Sequence, residues 1–231
     1  MKVLIGCETS GIVRNAFAAL GHDAWSCDVL PSDTPSNHHI QGDIRDVMQD
    51  DWDLMCVMHP PCVRLANSGA RWLHKAPPNK TLDQMWAELD AGCALFSDVW
   101  NVDHIPYVAV ENPVMHKHAK ARIRNYEPFA QSVQPWHFAE AEDDADNVKK
   151  RTCLWLRGLP KLERTGSLDG STARDECHKA PPSADRWKIR SKFYTGVANA
   201  MAQQWSAAIE GQMAEVTGSF SDVGTRFEVA A

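Results

Sequence analysis

Short, largely apolar runs that each break off at a polar or reactive residue constrain this chain of 231 residues more than anything else in it. Residues 2–7 (KVLIGC), 24–29 (AWSCDV, ending at Asp28), 41–44, 53–58 (DLMCVM) and 107–110 (YVAV) are strand-length runs bounded by turn residues. Helical patterns lie between them. Residues 11–20 (GIVRNAFAAL) put Ile12, Ala16, Phe17 and Leu20 at helical spacing before Gly21, and residues 82–100 align Trp86, Leu89, Cys93 and Phe96. Strands alternating with helices predict an α/β fold, a mostly parallel sheet with helices on both faces. Further strands are expected at 132–138 and 152–156, and a last helix at 193–209. Residues 1–210 read as one domain, and the small, polar, aperiodic stretch 211–231 as a frayed tail.

No run approaches the roughly 18 consecutive apolar residues of a membrane span. The first six residues read as a strand rather than a signal, so a cytoplasmic location is expected. Seven cysteines (7, 27, 56, 62, 93, 153 and 177) include no C-x-x-C pair, which fits reduced thiols and no structural zinc or other metal. The net charge of −6 is awkward for a partner made of phosphates. The acid, however, is concentrated at 140–146 and towards the chain ends, whereas Arg64, Arg71, His74 and Lys75, residues 116–124, Lys149, Lys150 and Arg151, and Arg186, Lys188, Arg190 and Lys192 are basic groups. Gathered on one face they form a phosphate-binding surface; scattered, they are a solvated exterior.

Two strand ends carry the chemistry. Residues 53–58 run into His59-Pro60-Pro61-Cys62, and residues 107–110 deliver Glu111-Asn112-Pro113. Open α/β sheets bind ligands outside the carboxyl ends of their strands. Carbon C5 of cytosine becomes enamine-like when a thiolate adds to C6, provided an acid protonates or hydrogen-bonds N3 at the same time. Cys62, aimed by a stiff Pro-Pro lead-in, and Glu111 are the residue types for these roles. Plainer readings stay open: Cys62 as a small buried hydrophobe, Glu111 as the cap of a helix starting at Pro113, and His59 as a packed neighbour.

The order of these motifs resembles the DNA cytosine-C5 methyltransferase family, in the style of small phage-type members without a large target-recognition domain, over roughly residues 1 to 205. Residues 3–11 resemble the family's first motif at the cofactor loop, Asp28 the acid that takes the cofactor ribose, and Gly42-Asp43-Ile44 the segment beside the adenine. His59-Pro60-Pro61-Cys62 resembles the catalytic Pro-Cys motif and Glu111-Asn112-Pro113 the Glu-Asn-Val motif. Lys149 to Arg151 resemble the basic motif that supports the target base, and Gly196-Val197-Ala198-Asn199-Ala200 the Gly-Asn-Ala motif of the last helix. The resemblance implies a Rossmann-like methyltransferase fold. Its catalytic residues are Cys62, Glu111, Asn112 and Arg151, and its donor site holds Glu8, Ser10, Gly11, Asp28, Asp43, Pro60 and Asn199. DNA contacts follow at Arg64, Arg71, Lys75, Lys149, Lys150 and Arg190. The implied substrate is double-stranded DNA with a flipped cytosine, bound by a monomer, in a host's cytoplasm if the chain is phage-encoded.

Two departures shape these expectations. The family's glycine-rich loop admits the methionine part of S-adenosylmethionine, whereas Glu8 and Ser10 replace two of its glycines here. A primed C5 attacks any well-placed one-carbon electrophile, so methylenetetrahydrofolate, which serves similar chemistry in enzymes resembling thymidylate synthase and deoxycytidylate hydroxymethylase, stands close behind S-adenosylmethionine; it would leave 5-hydroxymethylcytosine. The recognition insert is also reduced, to 157–187, so a short sequence context is expected, helped by a mobile loop at 63–80. If Glu8 faces away from the donor site, it is instead a helix N-terminal charge. Three other functions stay in view: a non-catalytic DNA-binding relative, an RNA cytosine methyltransferase, and an amino-methyltransferase. The last would carry Asp-Pro-Pro before an aromatic residue, where this chain has histidine first and cysteine last.

Overall fold

The computed structural model describes residues 1–179, 181 and 193–224. Seven strands form one sheet: β1 (Lys2–Gly6), β2 (Asp23–Asp28), β3 (His39–Gln41), β4 (Leu54–Val57), β5 (Tyr107–Asn112), β6 (Gln131–Val133) and β7 (Thr152–Arg157). Their order is β3-β2-β1-β4-β5-β7-β6. The first five are parallel, and β7 runs antiparallel to both β5 and β6. This is the α/β class expected, a mostly parallel Rossmann-like sheet. The chain reverses its direction of winding between β1 and β4, the kind of switch point at whose strand carboxyl ends open α/β sheets bind ligands.

Period-two alternation divides the core into two layers. Leu4, Met55, Val57, Val108, Val110 and Trp155 pack on one face beneath α2 (Ile44–Val47) and α3 (Leu82–Trp100). Val3, Ile5, Leu54, Cys56, Ala109 and Leu154 pack on the other, beneath α1 (Ile12–Ala19) and the long carboxyl-terminal helix. α3 has the bounds read from its sequence, because Thr81 and Gln84 close a reciprocal capping box at its start. Two very short helices, α4 (Lys117–Lys120) and α5 (Glu176–Lys179), precede α6 (Thr195–Gly224).

Several expectations are corrected. The third strand ends at Gln41 rather than spanning 41–44, because the Asp43 carboxylate accepts from the Arg45 amide and starts α2. Residues 132–138 are not one strand: β6 stops at Val133, and Pro135, which lacks an amide donor, opens a 3-10 turn. The stretch 63–80, expected as a loop, also contributes to the core. It holds a 3-10 turn, Asn67–Leu73, and buries Leu65, Ala66 and Leu73. The last helix does not stop at residue 209, since α6 takes in 211–224 of the stretch expected to fray; residues 225–231 lie outside the described residues.

Candidate active site

β4 and β5 are parallel neighbours in the register Val57↔Val110, so the segments after them leave the sheet side by side. Backbone bonds then fasten the two segments together. Asn67 N–H donates to Val114 O, His116 N–H donates to Leu65 O, and Ala66 bridges Met115. His116 completes the junction: its Nδ1 accepts from the Ala119 amide at 3.2 Å, which leaves Nε2 to carry the proton and donate to Arg64 O at 2.6 Å. Cys62 begins the first segment, its carbonyl accepting from the Leu65 and Ala66 amides at 3.0 and 2.9 Å. Pro60 is buried and Cys62 partly exposed. Gly92 on α3 lets this turn lie close, because a Cβ there would come within 2.5 Å of Leu65 Cδ1 and 3.2 Å of Pro61 O.

Glu111 and Asn112 are the last residues of β5, paired with Leu154 and Cys153 of β7. Strand alternation turns Glu111 to the side of Ala109 and Asn112 to the side of Val110. Burial pushes the Glu111 carboxyl up to about 7, with the Lys150 ammonium pulling the other way. Asn112 is fully buried, and neither its amide nitrogen nor its carbonyl oxygen has a hydrogen-bond partner. Leaving such groups unsatisfied costs about 1–3 kcal/mol each, so the Asn112 amide keeps hydrogen-bonding capacity for a polar partner on the face of the strand opposite to Glu111.

Because β7 is antiparallel to β5, the residues before it arrive at the same end of the sheet. Lys149, Lys150 and Arg151 differ there. Lys149 and Arg151 are exposed, whereas Lys150 is partly buried, its Nζ 5.8 Å from the Tyr194 ring centre. Its charge acts on Glu111 and also on His59, which packs edge-on to Phe193 at 5.6 Å; burial and then Lys150 bring His59 down to about 3, leaving it neutral. Lys150 is thus the cation whose charge reaches Glu111, while Arg151, the residue the resemblance implied as catalytic, is exposed. The replacement Lys150→Ala should raise the Glu111 pKa above its present value, since an opposing charge is removed. A carboxyl titration followed by carbon-13 NMR reads this, and an unmoved or lowered midpoint would separate the two residues.

The expected donor residues are arranged around the ends of β1 and β2. Glu8 is fully buried with its carboxylate at the start of α1, accepting from the Val13 amide at 2.7 Å, the Arg14 amide at 3.3 Å and Ser10 Oγ at 3.2 Å. α1 has no side-chain cap from Gly11, the residue just before it, which sits at φ 70°. Glu8 takes that part, so the helix-charge orientation is the one adopted and Ser10 is engaged with it. Asp28 accepts from the Leu30 amide, and Asp43 is bound to Arg45. Burial, then Asp28, and further on Asp43, push the Cys7 thiol up, which places both carboxylates near the end of β1.

Other expected residues are not brought into the site. Arg64 donates to Glu88 at 2.7 Å, and Lys80 is tied to the same carboxylate, so Arg64 is spent within the fold rather than offered to phosphate. Asn199 faces solvent on α6. Arg71 and Lys75 are exposed, and Arg190 lies outside the described residues. The sequence placed His116 only among the basic residues 116–124; its part in the junction left no signal that separates it from the lysines around it. The described part of the reduced insert folds back on the acidic loop: Val148 bridges Arg174, and the Arg174 guanidinium donates to the carbonyls of Asp144 and Ala145.

No family model matches the chain, and no curated protein matches it. Among solved structures, a prophage-encoded protein of E. coli assigned as a DNA modification methyltransferase aligns with a TM-score of 0.35 and 11% identity, over 67% of this chain and 45% of that one. The chain therefore spans less than half the length of that protein.

Proposed function

We propose that the chain is a DNA cytosine-C5 modifying enzyme that transfers a one-carbon unit through a covalent bond between Cys62 and cytosine C6. The observation that carries this reading is Glu111, a buried carboxyl held near 7 at the end of β5, beside the strand whose end delivers Cys62. In this scheme the Cys62 thiolate forms the S–C6 bond while Glu111 hydrogen-bonds or protonates N3, and the electron pair moves to C5. After transfer, loss of the C5 proton expels the thiolate and restores the ring. Lys150 keeps Glu111 from rising further, and the Asn112 amide, on the other face of the strand end, has donor and acceptor free for a polar group that settles there.

S-adenosylmethionine is the first donor in this proposal, supplying the electrophilic methyl group, and methylenetetrahydrofolate the second. The residues fit the former in part. Asp28, with one carboxylate oxygen accepting from Leu30, suits a ribose hydroxyl. The Val13 and Arg14 amides at the start of α1, which attract an anionic group, are already taken by Glu8. Incubating duplex DNA and protein with each donor separately, then weighing the released nucleosides, decides the matter. A methylcytosine product is expected with S-adenosylmethionine; hydroxymethylcytosine with the folate would transfer the assignment to the second donor. Unmodified cytosine with both would overturn the proposal.

A further inference from the structure

Resting on the reading of DNA as substrate, we infer that Arg71, His74 and Lys75 together with Lys117, His118 and Lys120 form one wall that grips the backbone of duplex DNA beside the site. These residues come from two separate segments, one following Cys62 and the other following Glu111, joined by the backbone bonds and the His116 staple described above. Their tips meet as well: the His74 and His118 rings lie 6.0 Å apart, and His118 sits edge-on to Trp86 at 5.3 Å.

What selects these cations is the disposition of the acids around them. On α3, Glu88 is held by Arg64 and Lys80, Asp90 by Arg122, and Asp98 lies against Arg124. Each of these three carboxylates is therefore matched to a cation outside the row. Among the described residues, Arg71, Lys75, Lys117 and Lys120 enter no ion pair, and all four are exposed. His118 reports the resulting field. Its pKa is lowered by burial first and then by Lys117, His116, His74 and Arg122, so the charges of Lys117 and Arg122 reach the ring that meets His74 of the other segment.

A protein of net charge −6 gains little from leaving such a row uncompensated unless an anion covers it. The wall is continuous with the two strand-end segments of the candidate site, so a backbone lying on it passes the site rather than a remote surface. Exposed Arg71, stacked 4.5 Å over Trp72, and the compact lysine ammonium groups suit phosphate oxygens and sugar rather than base edges. The wall therefore positions duplex without reading its sequence.

Fluorescence anisotropy of the full chain with a short labelled DNA duplex, across about 50 to 200 mM salt, tests the wall. The double variant Lys117→Ala/Lys120→Ala should make the slope of log affinity against log salt shallower by about one unit per cation removed, and Arg71→Ala/Lys75→Ala likewise. Lys117→Arg/Lys120→Arg should keep the original slope, which separates loss of charge from loss of fold. If wild-type protein binds duplex DNA and both alanine variants keep its slope, the wall is wrong while the proposed reaction stands. A preference of the wild type for duplex RNA over duplex DNA of the same sequence would overturn the wall's assignment to DNA. Wild-type protein that binds no nucleic acid would instead remove the proposed function itself.

Discussion

Duplex DNA containing 5-fluorocytosine, incubated with the protein and a one-carbon donor, is expected to yield a denaturant-resistant protein–DNA adduct, and Cys62→Ser is expected to yield none. In the proposed scheme the S–C6 bond is released only when C5 gives up its hydrogen as a proton. Fluorine at C5 cannot leave that way, so the reaction stops with the sulfur attached. The contrast should be all-or-none because a serine hydroxyl, far less nucleophilic than a thiolate at neutral pH, does not add to C6. The fold should tolerate the exchange: the turn at residue 62 is fixed by its carbonyl, which accepts from Leu65 and Ala66 whatever the side chain. Denaturing electrophoresis reads the adduct, and peptide mapping locates it. Equal trapping by both proteins, or an adduct mapped to Cys7 or Cys153, would end the assignment of Cys62.

How far this site could be read before folding depended on where side-chain direction is set locally. The positions of Cys62 and Glu111 were legible because apolar runs of fixed length end in them, and parallel strands deliver such ends to one side. Likewise, α3 was legible to the residue through Thr81 and Gln84. Direction was harder. Nothing in the run Lys149-Lys150-Arg151 says which cation turns inward; that is decided by β7 pairing antiparallel with β5, a tertiary event, and it selected Lys150. Similarly, Glu8 looked like a residue intruding on a glycine loop, but the unsatisfied amides at the start of α1 draw its carboxylate to themselves. Arg64 looked available for phosphate until Glu88, 24 residues away, met it. Each case involves a charged side chain with two eligible partners, one local and one brought by topology, and sequence spacing does not rank them.

Glu111→Gln is expected to lower the rate of modification by about 10²–10⁴-fold while leaving duplex affinity nearly unchanged, because its proton acts on N3 as charge develops in the ring. The same replacement should stabilise the fold in a pH-dependent way. The Glu111 carboxyl has an ordinary value of 4.5 and about 7 in the protein, so the native state holds this proton over a range in which the unfolded chain has released it. Its favourable contribution is complete below 4.5, declines as pH rises, and is lost above about 7, where the native protein carries a buried carboxylate. A difference of that size corresponds to about 3 kcal/mol. Glutamine does not titrate. The stability of Glu111→Gln relative to wild type should therefore improve by up to that amount between acid and mildly alkaline solution, read from denaturant unfolding at each pH. Wild-type activity should fall on the alkaline side through the same interval, as the proton needed at N3 is lost. A slow variant whose relative stability stays flat with pH would leave Glu111 without its raised pKa, and weakened DNA binding at undiminished turnover would make it a structural cap. Slow turnover together with greater alkaline stability would tie both effects to the one buried acid at the end of β5.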